Sequence, residues 1–221
     1  MTYAEVALVV SPITTHLRRH QYGAFSLTDA IRPGTGLGIV PCEGYRLGVY
    51  KDQYTGRSIP MLSAAVSAEK IFDAFRELIE PLGEVVHVIL ESSHDGSLDN
   101  VQCCRRTDID VPILSSYCCE YENLLLNDGC SAISVLAKRK RLEVQFDEHK
   151  LFHVYGRKLL KFQKTLHRFG VRQIDELKLI CEDEHLHHST VRYQDEFQEL
   201  AGQIGADLPS RVLSDFEDNG W

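Results

Sequence analysis

The sequence predicts an α/β or α+β fold that is internally duplicated. Two strand-strand-strand-helix-strand-helix units, each with a mixed sheet, are related by a pseudo-twofold axis. Three observations carry this expectation. Residues 36–53, GLGIVPCEGYRLGVYKDQ, return at 131–148 as SAISVLAKRKRLEVQFDE with an offset of 95, which sets Val40 on Val135, Arg46 on Arg141, Leu47 on Leu142, Val49 on Val144 and Asp52 on Asp147. SAEKIFDAFRELIEPLG (67–83) and GRKLLKFQKTLHRFG (156–170) then share a helical apolar stripe closed by a glycine. VVHVILESSHD (85–95) and LKLICEDEHLH (177–187) are apolar strands that both end in Glu-x-x-His, with Glu91 on Glu182 and His94 on His185.

Taken in order, residues 1–35 form an N-terminal strand, Tyr3 to Val10, and a polar connection with one helical turn at Leu27 to Ile31. The first unit spans 36–130 and the second 131–207, each closed by an amphipathic helix whose C-cap is a glycine, Gly129 or Gly205. Lys138-Arg139-Lys140-Arg141 sits between two apolar runs and reads as a solvated hairpin turn. Residues 208–221 form an acidic tail that carries the single tryptophan and offers an aromatic tip to a neighbouring subunit.

Composition bounds the function. With 221 residues, a net charge of −8 and 43% hydrophobic residues, a packed core is expected and a polyanionic partner is disfavoured, so nucleic acid is excluded. Glu5 and Pro12 break the pattern of a secretory signal, and no apolar run approaches the roughly 20 residues that span a bilayer. A cytoplasmic protein with no membrane association is expected. Seven cysteines, two pairs of them vicinal and none in a C-x-x-C, fit free thiols in that compartment.

Several motifs resolve into ordinary structure. GTGLG (34–38) leads into a strand, whereas a phosphate cradle opens a helix, so it is loop punctuation. Ser67-Ala68-Glu69-Lys70 has the Ser-x-x-Lys spacing of some acylases, but Ser67 stands where a helix N-cap belongs and the companion motifs are missing. Nothing local marks Cys130 or the Cys118-Cys119 pair as activated thiols.

One stretch bears on chemistry: EDEHLHHST, Glu182 to Thr190. If the strand runs through it, period two puts Asp183, His185 and His187 on one face. A metal there needs a further ligand from another element, for which His149 or His153 is available, and Glu182 or Asp183 would serve as the general base for a metal-bound water. The competing reading is a polar strand-to-helix junction capped by Ser189 or Thr190. The lack of a complete catalytic signature favours a non-enzymatic binding or assembly module that engages a protein partner or self-associates as a homo-oligomer. The alternative is a metal-dependent hydrolase built on the 182–188 cluster, with a divalent metal as its cofactor.

Overall fold

The computed structural model describes residues 18–36, 38–52, 56–94 and 101–206. The strand expected at Tyr3 to Val10, Asp95 and the 208–221 tail lie outside the described residues. Three short strands, β1 (Gln21–Tyr22), β2 (Phe25–Ser26) and β3 (Ile31–Pro33), lead into β4 (Gly44–Lys51), β5 (Ser58–Ala65) and helix α1 (Ala68–Ile79). Then come β6 (Val85–Ser92), β7 (Gln102–Asp110), helices α2 (Val111–Glu120) and α3 (Glu122–Asn127), and strands β8 (Ser131–Ala137), β9 (Leu142–Phe146) and β10 (Leu151–Tyr155). Helix α4 (Leu160–Arg168), strand β11 (His185–His187) and helix α5 (Val191–Gln203) complete the order.

Seven strands form one sheet in the order β4-β5-β10-β9-β8-β6-β7, and every pairing in it is antiparallel. The expected mixed sheets are therefore not formed. Helix α1 does carry the chain across from β5 to β6, but β10, β9 and β8 insert between those two strands, so no parallel neighbours meet. Strands from 36–130 and from 131–207 thus interleave in one sheet. Their equivalence is also uneven. The β4–β5 and β9–β10 hairpins meet at the β5·β10 ladder, each followed by a helix. Val85–Ser92, by contrast, is a central strand, while its sequence counterpart is a loop, a 3-10 turn at Ile180–Glu182 and the short β11.

Helices cover one face of the sheet. Phe75 of α1 lies against Phe146 and Phe152, with ring centroids 5.3 and 6.2 Å away, and these rings join Val88, Val135, Val144, Phe162 and Phe197 in the main core. The opposite face is polar: Glu143 pairs across the sheet with Tyr155, and Gln145 with His153. Burial, with the Glu91 charge nearby, pushes the Glu143 carboxyl up to about 7 against a hydrogen bond with Ser134. Because the folded value stands above the unfolded one, the stability tied to the protonated acid is full below about pH 4.5 and is lost as pH rises through about 7. Glu143→Gln is therefore expected to exceed the parent by about 1–3 kcal/mol at pH 8 and to match it near pH 5, as read by thermal melts at both values.

A second, smaller apolar cluster joins Tyr22, Phe25, Leu27 and Ile31 to Leu177, Leu179 and Ile180 against Ala65 and Leu151 at the sheet end. It seats the β3·β11 ladder beside the turn between β9 and β10. The expected helical turn at Leu27 to Ile31 is instead a tight turn entering β3, because buried Arg32 draws the Thr28 and Ile31 carbonyls onto its guanidinium. Helix 112–129 breaks at Tyr121, and Gly129 does not cap it; a Cβ there would stand 2.3 Å from the Ala30 carbonyl oxygen. Gly205, at φ 64, does close α5.

Candidate metal centre

The β9–β10 turn holds the first part of the site. Asp147, 6% exposed, accepts four hydrogen bonds: Oδ1 from the backbone N–H of His149 (3.1 Å) and Leu151 (2.7 Å), Oδ2 from His149 Nδ1 (3.0 Å) and His153 Nε2 (3.2 Å). Burial alone would raise this carboxyl, but the two imidazoles hold it well below the usual carboxylate range. The turn closes through Lys150 at φ 58, with its buried Nζ donating to the Ser131 carbonyl at 3.0 Å.

The second part is β11, which pairs antiparallel with β3 in the register His185↔Pro33, Leu186↔Arg32 and His187↔Ile31. Alternation on this short ladder puts His185 and His187 on one face and leaves Leu186 on the other. Their rings meet His149, with the three centroids 4.8 to 5.0 Å apart and mutual tilts of 64° to 75°. One ligand-capable atom from each of the three lies within 4.8 Å of the others.

The hydrogen bonds fix the tautomers. His185 Nδ1 bonds the Asp183 carbonyl and His187 Nδ1 the Gly129 carbonyl, both at 2.6 Å, and a carbonyl can only accept. His149 Nδ1 donates to the ionised Asp147. All three Nδ1 atoms therefore carry the proton, which leaves each Nε2 with its lone pair. His149 Nε2 and His185 Nε2 are 3.1 Å apart. Two lone pairs at that distance repel unless a cation lies between them, either a proton or a metal. Tetrahedral zinc at its usual Zn–N length separates two nitrogen ligands by roughly 3.3 Å.

Electrostatics divide the rings. Burial opposes charging His149, but Asp147 and Glu148 hold its pKa above the ordinary value. Burial and the two neighbouring histidines depress His187. An oxygen bound to each Nδ1 is the arrangement that orients metal-ligating imidazoles and raises their basicity. The centre is open to solvent, since His187 is exposed and no carboxylate or thiol joins the trio among the described residues. A narrow cleft with room for about one water, about 20 Å³, reaches His149 and Lys150 past Thr28, Cys42 and Lys178.

The structure brings His149, His185 and His187 together and places the other expected residues elsewhere. His153 stands across Asp147 from the trio, with its Nδ1 accepting from Ser63 Oγ at 2.9 Å. Glu182 forms a two-pronged pair with Arg46 at 2.9 and 3.1 Å and caps the Leu179 N–H, so its carboxylate is committed. Asp183 contributes its carbonyl, while its carboxylate lies against Gly38, where an added Cβ would be 2.0 Å from Oδ2. Three participants escape sequence reading: Asp147, Gly129 and Glu148, whose Oε1 is 3.6 Å from His149 Nδ1. The Asp-x-His spacing of 147–149 was the one local signal for the first.

Other motifs find structural roles. Ser67 Oγ bonds Ser26 and Glu69, and Lys70 pairs with Glu43 at 2.8 Å, so this Ser-x-x-Lys makes no nucleophile-base pair. The seven cysteines are all free, and burial pushes the Cys118 thiol up to about 12. No helix among the described residues is long and apolar enough to cross a membrane.

Gly129→Ala tests the mounting of His187. A side chain at this position would drive the turn off the Ala30 and His188 backbone. We expect a loss of about 1–3 kcal/mol in denaturant melts, together with at least a tenfold weaker metal affinity as the Gly129 carbonyl leaves Nδ1. Comparison with protein-family models, curated proteins and solved structures finds no match to the chain.

Proposed function

We propose that the chain is a metal-dependent hydrolase whose centre is a zinc-type ion on His149, His185 and His187, with a water in the open fourth position. The gathering of three imidazoles, each with an oxygen on Nδ1 that leaves Nε2 its lone pair, carries this reading. Three imidazoles leave the ion its positive charge, which acidifies a bound water toward neutrality and supplies a nucleophile. With Glu182 committed to Arg46, the nearest further carboxylate with solvent access is Glu148, which pairs with the outer nitrogen of His149, 3.6 Å from Nδ1; we assign it as proton acceptor, reached from the bound water through solvent.

The test is hydrolysis of activated carboxylic and phosphoric esters by zinc-loaded protein, before and after chelation. Activity that follows zinc, with a kcat loss of about 10²–10⁴ in Glu148→Gln at unchanged zinc content, is the expected result. Full zinc occupancy without hydrolysis of any ester would limit the site to a structural clamp.

A second reading, docking of a protein partner or a second copy, is favoured by a separate observation. Strand β4 lies at the sheet edge with Leu47, Val49 and Tyr50 exposed, and from Leu47 onward it pairs only with β5 among the described residues. Such an edge is a template for strand addition. Concentration-dependent self-association that Val49→Lys abolishes would support it; a monomer at all concentrations that also captures no partner would count against it. The duplication of the chain is likewise our inference, supported by the two hairpin-helix units that meet at β5·β10. Superposition of those units in an experimental structure tests it, since Val49 must fall on Val144.

A further inference from the structure

A second group of ligand-type side chains lies one turn away from the three histidines. His94, just after β6, and Asp128 and Cys130, on the turn from α3 to β8, offer one nitrogen, one oxygen and one sulfur that all lie within 4.8 Å of one another. The two segments are tied together, Ser93 N–H donating to the Cys130 carbonyl at 2.9 Å. Asp128 is fully buried and the His94 side chain is 7% exposed. Burying a carboxylate this deeply is costly without strong compensation.

The compensation present is incomplete. Cys130 N–H donates to Asp128 Oδ1 at 3.2 Å, and Oδ2 stands 3.1 Å from His94 Nε2, close enough to attract. Against its burial, His94, Ser189 and Ser131 together hold the Asp128 carboxyl below its ordinary value, yet His94 Nε2, Asp128 Oδ2, Ser131 Oγ and Ser189 Oγ are buried without a well-aligned hydrogen bond. Lys150 adds attraction at longer range, its Nζ donating to the Ser131 carbonyl rather than to Asp128. Buried polar atoms left open in one place call for a ligand that satisfies them together.

We propose that His94, Asp128 and Cys130 bind a second divalent cation of the borderline-soft class, zinc being the type. The donor set of one imidazole, one carboxylate and one thiolate suits that class, and Ser92 Oγ, 2.6 Å from His94 Nδ1, is placed to hold the ring with Nε2 toward the ion. Binding displaces the Cys130 thiol proton to solvent, and the half-buried Cys130 gives the ion its way in. Gly129, between Asp128 and Cys130, carries the carbonyl on which His187 leans. An ion here therefore stiffens the support of the first centre, although the proposal rests on different side chains and stands without that centre.

Cobalt(II) titration of the untagged, metal-stripped full chain tests this directly, because a thiolate ligand gives a near-ultraviolet charge-transfer band that histidine ligands do not. The band is expected in the parent and in the His185→Ala, His187→Ala double variant. It should be lost in Cys130→Ser and need at least tenfold more cobalt in His94→Gln, with circular dichroism confirming that both variants stay folded. Should Cys130→Ser not fold, His94→Gln decides alone. Saturating cobalt without a charge-transfer band in the parent overturns the proposal, as does a band that titrates unchanged in His94→Gln.

Discussion

Asp147→Ala is expected to cost about 3–5 kcal/mol of stability, the largest single loss in the chain, because it strips four donors, one buried and three part-buried, of their acceptor at once. Denaturant unfolding measures this as a shift of the midpoint at constant slope. Asp147→Asn separates the fold from the site. Its amide oxygen can still serve the His149 and Leu151 N–H groups, but an NH2 would then face His149 Nδ1, and the ring must carry its proton on Nε2 instead. That places a hydrogen on the nitrogen we propose as the metal ligand. We expect a smaller stability loss with a 10- to 100-fold weaker metal affinity, the range found when a supporting partner of a ligating histidine is removed. A variant that loses stability yet holds metal as tightly as the parent would show that Asp147 organises only the turn.

His149→Ala is the second large effect. It removes the proposed ligand that joins the β9–β10 turn to β11, leaving His185 and His187 on a three-residue strand with no third imidazole grouped with them among the described residues. Metal affinity is expected to fall by more than the roughly hundredfold cost of losing a supporting partner, while the cleft side of the turn stays packed. His153→Gln is the matched control. Its ring stands behind Asp147 rather than beside the trio, so zinc affinity should change by no more than about tenfold. Isothermal titration with zinc on all three proteins reads both outcomes. Equal losses for His149→Ala and His153→Gln would contradict the assignment of ligands.

Local pattern made part of this site legible. His185 and His187 share a face for the simplest reason, a two-residue period on an extended chain, and the HLH spelling shows it. The strand itself is only those three residues, because Glu182 turns back to cap Leu179 and Arg46 holds it there. That contact spans 136 residues, and no local signal foretells it. The place of Gly129 after an amphipathic run predicts a helix cap. Its actual constraint is the approach of Ala30 and His188, two segments distant in the chain. The sheet departs from the expected mixed topology for a related reason. Strand, helix, strand order implies parallel neighbours only if nothing inserts between them, and here three strands from later in the chain do. Helices α1 and α4 were legible because their apolar stripes are local and strong. Asp147 was hidden, since its four partners follow it within six residues yet only the folded turn points them inward.

The most direct test of the three-histidine centre is the zinc content of the untagged protein after loading and desalting, set beside that of the His185→Ala, His187→Ala double variant. The double variant should hold one equivalent less than the parent while remaining folded. Equal zinc in the two proteins, or a parent that retains none after loading, would contradict it.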